Sequence, residues 1–168
     1  MQFPTRILTE SQYLNLISEI KNRLNELASS AESFLSTSTS QSELGVVTSV
    51  YIHALEEYGK LILLDPLQPQ NQKVNLTSIE RDYFDHPKKI SLALNDLSPE
   101  AKSVRTGPFD PAIFDKFFDT GTDISWNLRL IILNSDIDKK GDPVKIPLIE
   151  KNDLTQAINA LKKGQHYV

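Results

Sequence analysis

Residues able to move protons or grip anions gather in two places along the chain. The first is His53-Ala54-Leu55-Glu56-Glu57-Tyr58-Gly59-Lys60. On a helix, Glu56 stands one turn before Lys60, a spacing that favours an ion pair worth a few tenths of a kcal/mol. Gly59 inside a helix costs about 1 kcal/mol against alanine. Close approach of another helix is the simplest reason to accept that cost. The second cluster is Arg81-Asp82-Tyr83-Phe84-Asp85-His86-Pro87-Lys88-Lys89. Arginine binds phosphate bidentately, and histidine exchanges a proton near neutral pH. On an unbroken helix Arg81 and His86 would point about 140° apart. A bend at Pro87 would let them share a site, and a helix restarting there would offer free N–H groups to an anion beside His86. Lys89, three residues on, falls on the same side as His86. On spacing alone, a salt-bridged helix face and a solvated charged loop explain the two clusters as well.

The elements that must position these residues are helical. Thr9-Glu10-Ser11-Gln12 has the form of a capping box, followed by Leu14, Ile17, Ile20, Leu24, Leu27, Ala28, Ala31, Phe34 and Leu35 at steps of three and four. This predicts a long amphipathic helix over 10–36. A Ser/Thr-rich connection leads to a second box, Ser40-Gln41-Ser42-Glu43, and to a helix over 41–64 that stops at Asp65-Pro66. A short loop between two long helices makes an antiparallel hairpin. Residues 66–76 read as loop. Thr77-Ser78-Ile79-Glu80 is a third box, opening a helix to about Leu97 with a kink or fresh start at His86-Pro87. Asp110-Pro111 opens a further helix, 124–149 is irregular or extended, and Asn152-Asp153 caps a last helix that stops at Gly164.

Composition closes off other chemistries. The chain has 168 residues, 39% of them hydrophobic, a formal net charge of −4 and no cysteine. One domain over 1–168 is expected from this length. Without cysteine there is no thiol nucleophile, disulfide, thiolate zinc site or iron–sulfur cluster. His53, His86 and Glu57 are not fixed within reach of one metal, so no metal site is expected, and no cofactor. Glycine-rich phosphate loops, G-x-S-x-G and H-E-x-x-H are absent from the sequence. The start lacks a signal-peptide pattern and no apolar run approaches a membrane span, so a cytoplasmic protein without a membrane partner is expected. The net acidity argues against coating nucleic acid by bulk charge, though not against a small phosphate site.

At the two clusters the chain resembles the AbiV family of phage abortive-infection proteins, within the HEPN superfamily. Ala54-Leu55-Glu56-Glu57-Tyr58-Gly59-Lys60 is similar to that family's A-x-E-E-x-G-K helix motif, and Phe84-Asp85-His86-Pro87-Lys88-Lys89 to its His-x-x-Lys element. Asn127-Leu128-Arg129 through Leu133-Asn134-Ser135-Asp136, with Gly141 and Pro147, resembles its C-terminal stretch. Arg81 to His86 also fits the R-x4-H pattern of catalytic HEPN ribonucleases.

The resemblance implies an all-α, HEPN-like helical bundle built on the hairpin, often a homodimer with the R-x4-H residues of two protomers lining one cleft. It implies an antiviral effector, or toxin, that cleaves RNA without metal through attack by the 2′-OH on the adjacent phosphate, with a phage-encoded protein as a candidate activator. In that scheme His86 is the general acid/base and Arg81 holds the phosphate. Asp82 orients one of them, Glu56, Glu57 and Lys60 support the cleft, and Lys89 adds a phosphate contact. The alternative is a non-catalytic module of the same kind that binds a protein, RNA or nucleotide and arrests translation.

Overall fold

The structure, a computed structural model, describes residues 6–67, 69–104 and 150–164. The expected helix at Asp110-Pro111, the stretch 124–149 with the C-terminal part of the resemblance, and His166 lie outside the described residues. Those described form an all-α bundle with one small ribbon. The elements run β1 (Ile7–Thr9), α1 (Glu10–Thr37), α2 (Gln41–Leu64), β2 (Lys73–Asn75), a 3₁₀ turn (Thr77–Ile79), α3 (Glu80–Phe84), α4 (His86–Val104) and α5 (Lys151–Gly164).

The hairpin forms where the caps predict it. Thr9 and Ser40 each accept from the backbone N–H of the third residue on, and Gln12 and Glu43 reach back to the cap's own N–H. Glu43 also accepts from Thr39 N at 2.6 Å, and the Thr39 and Ser40 backbone donors lower the pKa of its carboxyl from the ordinary value. The face of α1 that packs inward is Tyr13, Ile20, Leu24, Ala28, Ala31 and Leu35. Leu14 and Phe34, expected on that face, are instead 57% and 49% exposed, because they sit at the margins of the apolar arc. Helix α2 is buried on nearly every side, against α1, α4 and α5. It is the axis of the bundle, so every polar residue on it must find a partner inside.

Three expectations are corrected. The segment 66–76 is not all loop, since β2 pairs antiparallel with β1 in the register Leu8 to Val74. Both strands are three residues long, too short for an alternating pattern to stand out. The third capping box does not form. Asn75 Oδ1 accepts from Thr77 N at 2.9 Å, and Glu80 pairs with Arg6 at 2.9 Å. Residues 77–79 are accordingly a 3₁₀ turn rather than the first turn of an α-helix. The last helix begins at Lys151, so Asn152 and Asp153 lie in its first turn rather than at its cap.

The chain breaks once between α3 and α4, at Asp85, whose ψ of 105° is extended. This is the fresh start that Pro87 predicts. Asp85 then caps α4: its carboxylate accepts from Lys88 N at 3.0 Å and its carbonyl from Lys89 N at 3.2 Å. The anion-binding helix end expected beside His86 is therefore already occupied by the chain's own carboxylate.

Candidate functional site

Gly59 explains how the two clusters meet. A Cβ at this position would overlap the backbone carbonyl of Lys89. Only a glycine lets α4 lie this close on α2, and the close approach lays the start of α4 over Glu56 and Glu57.

Each carboxylate then finds its own partner. Glu56 Oε2 lies 2.7 Å from His86 Nδ1, with the carboxylate side chain 6% exposed and the imidazole 42%. Glu57 receives Lys60 Nζ on both oxygens at 2.8 Å, and Arg23 Nε reaches it from α1 at 3.5 Å. The expected pairing of Glu56 with Lys60 is thus replaced by Glu57 with Lys60. The reason is that Glu56 turns towards α4, where the imidazole competes for it. Lys60 also lies 5.9 Å from the centre of the Tyr83 ring, which packs edge-on against Phe84. Burial, and after it the Glu57 charge, push the Tyr83 hydroxyl up to about 12.

Lys89 is 3% exposed, too enclosed for the outward phosphate contact expected of it. Burial lowers its pKa, while Glu56, Glu57 and Asp85 hold it up and Lys60 adds to the lowering. Arg81 is exposed on α3, and among the described residues its side chain has no hydrogen-bond or ion-pair partner. The structure does not tie it to His86. Asp82 is half-buried and contributes its carbonyl to Asp85 N at 3.2 Å. The carboxylate that orients the imidazole is Glu56, from another helix.

Arg23 and Tyr83 belong to the same cluster and were not singled out from the sequence. Arg23 lies within an amphipathic repeat with no local motif, so only the α1–α2 packing reveals it. A shallow concavity of about 530 Å³ runs along α1 past Asn22, Arg23 and Leu27 and meets the cluster at Arg23. Among the described residues no group of three metal-ligating side chains converges, and no helix is long and apolar enough to cross a membrane.

Chemically, this is an imidazole with one nitrogen pinned by a buried carboxylate. In the neutral ring the contact at Nδ1 favours the tautomer with its proton there, and the lone pair falls on Nε2. That arrangement suits proton transfer to or from a bound group. Comparison with protein-family models, curated proteins and solved structures found no match to this chain.

Proposed function

We propose that the protein is an RNA-cleaving effector of phage defence, acting without metal through proton transfer at His86. The observation that carries this reading is the 2.7 Å contact between Glu56 and a half-exposed His86, a buried acceptor orienting an accessible imidazole. In the reaction His86 takes the proton of a ribose 2′-OH. The 2′-oxygen attacks the neighbouring phosphorus, the 5′-oxygen leaves with a proton, and a 2′,3′-cyclic phosphate remains. Arg81, exposed on the short helix just before His86, meets the phosphate and offsets its growing negative charge. A homodimer would bring a second imidazole to the leaving oxygen, and a phage-encoded protein would serve as the trigger.

The test is incubation of the purified protein with varied RNAs in chelator, with and without a phage-derived activator. Wild type is expected to leave cyclic phosphate ends, and His86→Ala to lose about 100-fold or more of the rate. Equal inertness of both proteins under every condition overturns the nuclease reading.

A second reading has one observation in its favour. The start of α4 is capped by Asp85 and Arg81 is tied to nothing around His86, so no phosphate cradle is preassembled among the described residues. On this reading the module binds a protein, RNA or nucleotide and arrests translation without cutting. Growth arrest that persists in His86→Ala and Arg81→Ala cells, with RNA intact, selects it.

A further inference from the structure

A concavity of about 820 Å³ opens beside the ribbon, and none of the side chains paired with Glu56 or Glu57 lines it. Its polar lining is Gln70, Asn71, Lys73, Asn75 and Ser78. Asn75 Oδ1 is taken by Thr77 N, which leaves the amide N–H groups of Asn75. The side chains of Gln70, Asn71, Lys73 and Ser78 make no hydrogen bond or ion pair among the described residues. Ile7, Leu67 and Val74 add apolar lining. No described carboxylate lines the concavity, so Lys73 makes it locally positive on a chain of net charge −4.

The backbone of this wall is held by its own hydrogen bonds. Gln70 N donates to the Lys73 carbonyl at 2.7 Å and Lys73 N to the Gln70 carbonyl at 3.0 Å, around Asn71 and Gln72. Those two residues have φ of 51° and 61°, the left-handed pair that a tight two-residue hairpin turn requires. A glutamine enters that region less readily than a glycine, and here the Gln72 carbonyl is held by Glu10 N at 3.0 Å. Beyond the turn, Val74 is 1% exposed, so Lys73 and Asn75 share the opposite, outer face of β2. Polar side chains projecting from a fixed backbone lower the ordering cost of binding.

A carboxamide both donates and accepts, which suits the edge of a nucleobase, and apolar side chains suit its faces. An ammonium suits the adjoining phosphate. We propose that this concavity is a nucleotide subsite that holds one base of a single-stranded RNA, with Lys73 on its phosphate. Ser78 stands three residues before Arg81, both exposed, where the 3₁₀ turn runs directly into α3. That spacing puts the two on one side of the turn. A strand leaving the concavity past Ser78 therefore meets Arg81 next. That the strand is a substrate rests on the nuclease reading; that the concavity binds it does not.

Two probes separate a strand from a free nucleotide. One is a 2′-O-methyl oligoribonucleotide, which cannot be cut by attack of its own 2′-oxygen. The other is the set of nucleoside monophosphates. Side-chain amide NMR of the full chain reads both. The oligonucleotide should shift the Gln70, Asn71 and Asn75 carboxamide signals saturably. Lys73→Glu should weaken its binding about tenfold, and Gln70→Ala about fivefold or more. Lys21→Glu makes the same charge change on an exposed position of α1 and should stay within about twofold of wild type. Carboxamide signals that move with neither probe overturn the proposal, as does a Lys73→Glu loss no larger than that of Lys21→Glu. Shifts with the monophosphates and not with the oligonucleotide overturn the assignment to a strand. Should Lys73→Glu fail to fold, the wild-type shifts and Gln70→Ala decide. If RNA is cut, Lys73→Glu should raise KM and leave kcat unchanged. A wild type that binds the oligonucleotide here and cuts no RNA defeats the nuclease reading and upholds the subsite.

Discussion

At the scale of single residues, the cluster works by bringing charges from α1, α2 and α4 onto a few buried atoms. Glu56 serves α4, Glu57 serves α1 and its own helix, and neighbours one position apart therefore have different chemistry. Tyr83 reports on this. Its hydroxyl is raised from 10.0 to about 12 by burial first and by the Glu57 charge second. Removing that charge with Glu57→Gln should bring the Tyr83 titration down, seen as an earlier phenolate absorbance step on raising pH. The linkage has a definite sign. A group whose folded pKa is raised contributes stability that is whole below its unfolded value and is lost as pH climbs through the folded value. The stability from Tyr83 should thus drain away between about pH 10 and pH 12. Tyr83→Phe should flatten that part of the unfolding free-energy curve, and an unaltered slope would remove Tyr83 from the account.

At the scale of elements, the α2–α4 contact sets the geometry of the site. Gly59→Ala gains about 1 kcal/mol of helix propensity. It also drives a methyl into the Lys89 carbonyl, and overpacking against backbone costs about 3 kcal/mol. The net expectation is a loss of about 2 kcal/mol in urea denaturation, together with a displaced imidazole NMR signal, because α4 must lift and take His86 away from Glu56. A neutral or stabilising alanine would mean that α4 does not lie where it is described. The N-terminus of α4 illustrates the same dependence on local partners. Asp85 both ends α3 and caps α4, which is why the break falls one residue before His86.

At the scale of the whole molecule, α5 closes the bundle from far along the chain. Its Lys151 ammonium meets the carbonyls of Ser36 and Ser38 at 3.3 and 3.0 Å, supplying a cation to the end of α1, whose last turn has none of its own. Lys162 pairs with Glu32 at 2.7 Å, and the Tyr58 hydroxyl donates to Asp96 at 2.6 Å and sits 3.2 Å from the Gly164 carbonyl. Leu161 is fully enclosed. Leu161→Ala should cost about 3 kcal/mol, read as a fall in the urea midpoint with an unchanged slope. If α5 instead peels away as a unit, the slope will drop and the transition will split.

The hairpin was legible from the chain alone because its signals are local. A capping box needs four consecutive residues, and an apolar stripe needs only steps of three and four. The break before Pro87 and the tight approach at Gly59 were legible for the same reason: each is a property of one residue's backbone. The ribbon was not, since three-residue strands carry too little pattern and their partners lie more than sixty residues apart. The partners within the site were not either. Glu56 and Glu57 are adjacent; the local i,i+4 spacing favours Glu56 for Lys60, and nothing local says that His86 takes Glu56 and leaves Glu57 to Lys60 and Arg23. That choice follows from the direction in which α4 crosses α2, a consequence of packing whole helices, and tertiary structure alone decides it.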